Sequence, residues 1–148
     1  MLEPPRPPFD LEGIDHLLLL VSGMSQALAF YCEVLGCGIE TELPEYGMVQ
    51  LRAGGALIDL VDIESRQGRW ARPEVAGGRN LDHVCIALAT YDEEQLRGHL
   101  AAHGVRIIEE GLHGGARGDS LSIYVQDPSR NTIEIKGPPL AMQTSRQR

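Results

Sequence analysis

The 148-residue chain contains no hydrophobic run approaching the ~20 residues that a membrane-spanning helix needs. It has three cysteines, Cys32, Cys37 and Cys85, and none of them forms a Cys-x-x-Cys pair. This odd set argues against a disulfide scaffold and fits a reducing compartment. The first ten residues also lack the apolar segment of a secretion signal. We therefore expect a cytoplasmic protein that is not inserted in a membrane.

Positive charge is scarce as well. Thirteen Lys and Arg residues stand against 21 Asp and Glu, which gives a formal net charge of −8. Nucleic-acid binding depends largely on Lys and Arg displacing counterions from phosphates, so this balance argues against nucleic acid as a partner. The cluster Arg66, Arg69 and Arg72 is interpreted as a solvated loop. A hydrophobic content of 43% at this length is enough for one domain with a real core.

The second half of the chain repeats the first. "IDHLLLLV" at residues 14–21 returns as "LDHVCIAL" at residues 81–88, so that His16 corresponds to His83. "ALIDL" near the end of the first copy corresponds to "NTIEI" near the end of the second, which pairs Asp59 with Glu134. A tandem repeat with a histidine and a carboxylate at equivalent positions predicts one site built across a pseudo-twofold axis.

Hydrophobic periodicity and turn residues predict that each copy folds as βαβββ. In the first copy we expect a helix over residues 22–35, capped by Ser22 or Ser25 and ended by Gly36, and later a hairpin at Gly54-Gly55. The predicted strands and helix of the second copy are a strand from Leu81, a helix at 92–102, a strand at 105–109, a glycine-rich loop at 110–119 and strands at 121–126 and 132–136.

These elements predict an α+β fold of two tandem modules within a single domain. The expected boundaries are a proline-rich lead at 1–12, the first module at 13–63, a linker at 64–80, the second module at 81–137 and a flexible tail at 138–148.

Strand alternation predicts which side chains share a face. In the last hairpin, Ile123, Val125, Ile133 and Ile135 should pack under the helices. Ser122, Tyr124, Thr132 and Glu134 should then lie on the opposite face. In the first copy, Val49, Leu51, Ile58 and Leu60 should point inward and leave Gln50 and Asp59 opposite. We expect a cleft on this polar, helix-free face.

Imidazole and carboxylate side chains on strands are suitable ligands for a divalent metal ion. We therefore predict His16, His83 and Glu134 as metal ligands. Asp59 is either a fourth ligand or a solvated edge residue. His99 and His103, four apart on the predicted second helix, are interpreted as surface residues, and His113 as a free histidine of the glycine-rich loop.

Several segments resemble the vicinal oxygen chelate superfamily, which includes glyoxalase I, bleomycin-resistance proteins, fosfomycin-resistance enzymes and extradiol dioxygenases. The matching segments are "IDHLLLLV", "AFYCEVLG", "LDHVCIAL" and "SIYVQDPSRNTIEIKG", and the likeness runs from Gly13 to Gly137. It is nearest to glyoxalase-domain-containing proteins. The resemblance implies paired modules in a half-barrel around a divalent ion such as Ni, Mn, Fe, Co or Zn. Asp59 falls where glyoxalase I carries Glu or Gln.

The resemblance implies a metal-dependent lyase or isomerase that acts on a small oxygenated metabolite or thiol adduct. Glu134 or Asp59 would serve as general base, while Ser122, Tyr124 and Arg117 would bind the substrate. An extradiol dioxygenase, a fosfomycin-type enzyme and a non-catalytic drug-binding protein are the alternatives. A homodimer is expected, with each site formed either within one chain or across two.

Overall fold

The computed structural model describes residues 14–71 and 81–140. It contains the two predicted βαβββ copies, so the predicted α+β fold is confirmed. The elements of the first copy are β1 (His16–Val21), α1 (Met24–Leu28) continued by a π-helical segment (Ala29–Val34), β2 (Gly38–Leu43), β3 (Met48–Ala53) and β4 (Ala56–Asp62). Those of the second are β5 (Val84–Ala87), α2 (Glu93–Ala102), β6 (Glu109–His113), β7 (Ser120–Gln126) and β8 (Thr132–Lys136).

Each copy forms one four-stranded sheet with the same topology. The strand orders are β1-β4-β3-β2 and β5-β8-β7-β6. The first and last strands of each copy pair in parallel, and the other pairs are antiparallel. A parallel pair needs a long crossover connection, which the helix and two intervening strands supply. The predicted hairpin at Gly54-Gly55 is confirmed, because β3 and β4 pair in register up to Ala53 and Ala56.

The start of the first helix differs from the prediction. Neither Ser22 nor Ser25 caps it. The Asp62 carboxylate, from the end of β4, accepts hydrogen bonds from the backbone N–H groups of Gly23 and Met24, both at 3.1 Å. A carboxylate stabilises the positive end of a helix as a serine would. It comes from a distant part of the chain, and therefore no local pattern announces it.

In the second copy the strand bounds are displaced. The predicted strand at 105–109 is wrong, since pairing with β7 begins only where the Ile108 N–H donates to the Tyr124 carbonyl. Val105 and Ile107 are apolar because they pack against the core. Residues 109–113, which were predicted to lie mostly in a loop, therefore form strand β6. His113 is the last residue of that strand.

The linker and the termini are only partly described. Residues 64–71 form turns and the short 3-10 helix Arg69–Ala71. The rest of the predicted linker, the predicted lead at 1–12 and the tail from residue 141 lie outside the described residues, so the predicted boundaries remain a prediction. None of the helices in the described part of the chain has the length and apolar character needed to cross a bilayer.

The two copies share a single core. The alternation predicted from the sequence is confirmed, because the inward residues of β3, β4, β7 and β8 all belong to the hydrophobic core cluster: Val49, Leu51, Ile58, Leu60, Ile123, Val125, Ile133 and Ile135. Phe30 and Tyr31 of the π-helical segment and Leu100 of α2 pack into the same cluster. The helices and the inward sheet faces therefore form one hydrophobic unit.

Asp127 joins the two copies. Its buried carboxylate accepts hydrogen bonds from the Tyr31 hydroxyl and the Asn131 side chain, both at 2.8 Å, and from the backbone N–H groups of Ser129 and Asn131. The Asn131 side chain also donates to the Leu20 carbonyl of β1. The backbone N–H of Ser22 donates to the Ser129 hydroxyl as well, so the turn between β7 and β8 is bound to the first copy at three points.

Removing the Tyr31 hydroxyl should weaken this junction. We expect Tyr31→Phe to lower the free energy of unfolding by about 1.5 kcal/mol, because a buried carboxylate loses one donor. Denaturant titration measures the change. Tyr46→Phe, at an exposed tyrosine, is the matched control and should change stability by less than about 0.5 kcal/mol. Equal effects of the two substitutions would show that the junction contributes nothing.

Candidate functional site

The face of the second sheet opposite the core carries a cluster of polar side chains around Glu134. This residue is 4% exposed. Its Oε1 lies 3.1 Å from His83 Nε2 and accepts a hydrogen bond of 2.9 Å from the Tyr124 hydroxyl. The register explains the contact with Tyr124, since Tyr124 and Glu134 are direct partners across β7 and β8. His83 immediately precedes β5, which pairs with β8 on the other side.

The surroundings of Glu134 keep it ionised. Burial raises the pKa of its carboxyl, but the Ser122 and Tyr124 hydroxyls and the nearby His83 and His113 rings together lower the pKa below its ordinary value. Burial and the bond to Glu134 raise the pKa of Tyr124 to about 12, so its hydroxyl remains a donor. The second carboxylate oxygen of Glu134, Oε2, is buried without a hydrogen-bond partner.

His113 is part of this cluster, contrary to its interpretation as a free loop histidine. Its Nδ1 lies 2.5 Å from the Ser122 hydroxyl, and its ring packs edge-on against Tyr124 with the centroids 5.2 Å apart. The misplaced bounds of β6 hid this role. Once the strand is known to end at residue 113, cross-strand pairing places His113 opposite Ser120 and on the same face as Ser122.

The matching cluster on the first sheet is smaller. Asp59 is 3% exposed, so the alternative interpretation of Asp59 as a solvated edge residue is wrong. Its Oδ2 accepts a hydrogen bond of 3.3 Å from the Gln50 side chain, and its Oδ1 is buried without a partner. His16 lies nearby. A hydrogen bond to Asp15 and the charge of Asp59 raise the pKa of the His16 ring.

The four predicted ligands therefore form two pairs, His16 with Asp59 and His83 with Glu134. Within residues 14–71 and 81–140, no group of three or more His, Cys, Asp or Glu side chains is close enough to share a metal ion. The predicted site of three or four ligands is not assembled by the described part of one chain. His99 and His103 are exposed, as expected, with their rings 4.6 Å apart.

Two further side chains belong to or contact the region of β5 and β8. Cys85, for which the sequence predicted no role, is the partner of Glu134 across β5 and β8. Burial and the charge of Glu134 raise its pKa to about 11, so the thiol is neutral at physiological pH. Arg117, a predicted substrate ligand, donates from Nη2 to the carbonyls of Leu88 and Gly137, both at 3.1 Å. These contacts hold the glycine-rich loop to the ends of β5 and β8.

The donor types in both pairs suit a divalent cation. Each pair offers one imidazole and one carboxylate, and each carboxylate keeps a buried oxygen without a partner, Asp59 Oδ1 and Glu134 Oε2. Buried polar atoms are rarely left unpaired in proteins unless they serve a further purpose. A cation bound to these two oxygens would give each of them a partner.

Comparison with known families gives one match over most of the chain. The sequence model described as the Glyoxalase/Bleomycin resistance protein/Dioxygenase superfamily matches residues 13–135. This range spans both copies and includes His16, Asp59, His83 and Glu134.

Three relatives illustrate the similarity. Virulence protein STM3117 of Salmonella typhimurium is 33% identical over 126 residues, covering 84% of this chain and 83% of the relative. Its crystal structure matches with a TM-score of 0.66 and 28% identity, and the match covers 88% of this chain and 99% of that structure. Lactoylglutathione lyase from Agrobacterium tumefaciens matches with a TM-score of 0.63, 23% identity and coverage of 86% and 95%. The fosfomycin resistance protein FosX from Listeria monocytogenes matches with a TM-score of 0.65 and 18% identity, and the match covers 88% of this chain and 97% of FosX. The last two show the fold alone.

The unpartnered oxygen of Asp59 should carry a cost in stability. We expect Asp59→Asn to raise the free energy of unfolding of the metal-free protein by about 1 kcal/mol at neutral pH, because a neutral amide of the same shape is cheaper to bury. Denaturant titration in the presence of a chelator measures this. Glu42→Gln, at an exposed position on β2, is the control. A loss of stability in Asp59→Asn would contradict the expectation.

Proposed function

The chain belongs to the glyoxalase/bleomycin resistance/dioxygenase superfamily, and on that premise we propose that it is a metal-dependent enzyme of glyoxalase type. In this proposal it is a lyase or isomerase that acts on a small oxygenated metabolite or thiol adduct. One observation carries the proposal. In both copies a histidine lies on the same sheet face as a buried carboxylate that has one oxygen without a partner, and in the second copy the two are 3.1 Å apart.

The proposed metal ligands are His16, Asp59, His83 and Glu134. Nitrogen and carboxylate oxygen donors suit Zn, Mn, Fe, Co or Ni, and they do not select one of these ions by themselves. A non-catalytic binder would have no need for two buried carboxylates, which cost stability. Their presence therefore favours an enzyme over a drug-binding protein.

We further propose that each site forms between two copies of the chain. The described part of each chain provides two pairs that do not combine into a group of three or more ligands, and each pair has half of the ligands that a four-ligand site requires. A homodimer related by a twofold axis would bring the His16 and Asp59 pair of one chain to the His83 and Glu134 pair of the other. Two equivalent sites would result.

The roles of the surrounding residues follow from their contacts. A divalent ion in this position would polarise a substrate carbonyl and stabilise the negative charge that develops on its oxygen. Glu134 is ionised and held by the Tyr124 hydroxyl, so it is fixed in orientation. Asp59 has only the Gln50 amide as a donor and is freer to accept a substrate proton. Ser122 and Tyr124 would hydrogen-bond the substrate.

A second candidate is an extradiol-type dioxygenase, favoured by the position of His113. Ring cleavage needs an acid or base beside the metal, and His113 and Tyr124 lie together next to Glu134. Anaerobic reconstitution with Fe(II), followed by oxygen and a panel of catechols, tests this candidate. Oxygen uptake with a ring-cleaved product would favour it over a lyase or isomerase.

The proposal predicts a bound metal. We expect protein purified without chelator to contain near-stoichiometric divalent metal by elemental analysis. His83→Ala should lose most of it, because the loss of one ligand opens the coordination sphere. His103→Ala, at an exposed histidine on the C-cap of α2, is the matched control and should keep the metal. Equal metal content in all three proteins would overturn the assignment.

Mixing experiments distinguish a site between chains from one within a chain. His16→Ala and His83→Ala chains should each bind little metal alone. When they are unfolded and refolded together, each mixed dimer combines an intact His83 from one chain with an intact His16 from the other. We expect metal binding to return in the mixture. If all the ligands belong to one chain, mixing restores nothing.

A further inference from the structure

An aspartate directly precedes each of the two paired histidines. Asp15 comes before His16 and Asp82 before His83, so the repeat duplicates the dipeptide as well as the histidine. In both copies the carboxylate bonds the Nδ1 of its neighbour, at 2.6 Å for Asp15 and 2.7 Å for Asp82. The same local arrangement thus recurs at two positions far apart in the chain.

Fold stability does not explain these two carboxylates. The side chain of Asp15 is 90% exposed and that of Asp82 is 95% exposed. In the described part of the chain neither carboxylate has another hydrogen-bond partner. Exposed pairs of this type contribute little to stability because water screens the charges. Their presence in both copies calls for a different role.

The bond at Nδ1 determines what the other ring nitrogen can do. A carboxylate accepts at Nδ1 only when that nitrogen carries the hydrogen. In the neutral ring, Nε2 then holds the free lone pair. In the second copy Nε2 is the nitrogen that faces Glu134 Oε1, at 3.1 Å. The aspartate therefore holds the ring with Nε2 beside the buried carboxylate, where the two atoms would bind the same cation.

We propose that Asp15 and Asp82 are positioning residues for His16 and His83. Each aspartate fixes the imidazole ring of its histidine so that Nε2 faces the divalent cation. This inference rests on the proposed function. A carboxylate behind a ligating imidazole also makes the ring a stronger donor, and removing such partners typically lowers metal affinity about 10- to 100-fold. Because both aspartates are exposed, we expect the lower end of this range.

The test measures Zn²⁺ affinity of the full chain by competition with a chromophoric chelator. Asp15→Ala and Asp82→Ala should each bind Zn²⁺ about tenfold more weakly than the parent with unchanged stoichiometry, and the double variant more weakly still. Asp15→Asn and Asp82→Asn should be intermediate, because an amide oxygen still accepts from Nδ1 without the charge. Glu94→Ala and Glu94→Gln, at an exposed position on α2, control for the loss of one negative charge.

The outcomes separate the two proposals. If the parent binds no Zn²⁺, the proposed function fails and this inference fails with it. If the parent binds Zn²⁺ and His83→Ala does not, while the aspartate variants bind as tightly as the Glu94 controls, only the positioning role is overturned. A drop in the melting temperature of the metal-free aspartate variants that accounts for their weaker binding would also overturn it. The predicted result is weaker binding with the metal-free melting temperature unchanged.

Discussion

The alternation of side chains along strands that have only one face on the core determines most of this structure. In β8, Ile133 and Ile135 enter the core, so Thr132, Glu134 and Lys136 must take the other face. A slip of one residue would exchange the two sets and bury Glu134 among apolar side chains. Burial of the isoleucines therefore fixes the position of the carboxylate. The candidate site depends on the hydrophobic pattern as much as on its own polar residues.

Cross-strand pairing then selects the neighbours of each carboxylate. Tyr124 lies directly opposite Glu134, and Gln50 directly opposite Asp59. The two environments differ in a way that suits different tasks. Glu134 has hydroxyl donors and a histidine beside it, whereas Asp59 has one amide donor at 3.3 Å. In the proposed function, this difference would suit Glu134 to hold the cation and leave Asp59 with fewer donors that compete with a substrate.

Much of the fold could be predicted from the sequence because its signals are local or repeated. The duplicated strand, the hairpin at Gly54-Gly55 and the inward isoleucines each follow from a short pattern. The cap of α1 could not be predicted, because the acceptor is Asp62, nearly forty residues away. The role of His113 was missed because Val105 and Ile107 are apolar for a reason other than strand pairing. Patterns of apolar residues indicate burial, and burial occurs in loops that cover a core as well as in strands.

The sequence could not predict that the four ligands form two separate pairs, and the reason is related. The repeat indicates that His16 and His83 are equivalent, but not which copies of the chain meet. Contacts between the two halves of one chain run through the helical side and the Asp127 turn: Tyr31 with Asp127, His99 with the Val34 carbonyl, and Ser22 with Ser129. These contacts satisfy the shared core and leave the two ligand pairs apart. This separation of the two pairs in the described residues is the reason for proposing that a second chain completes each site.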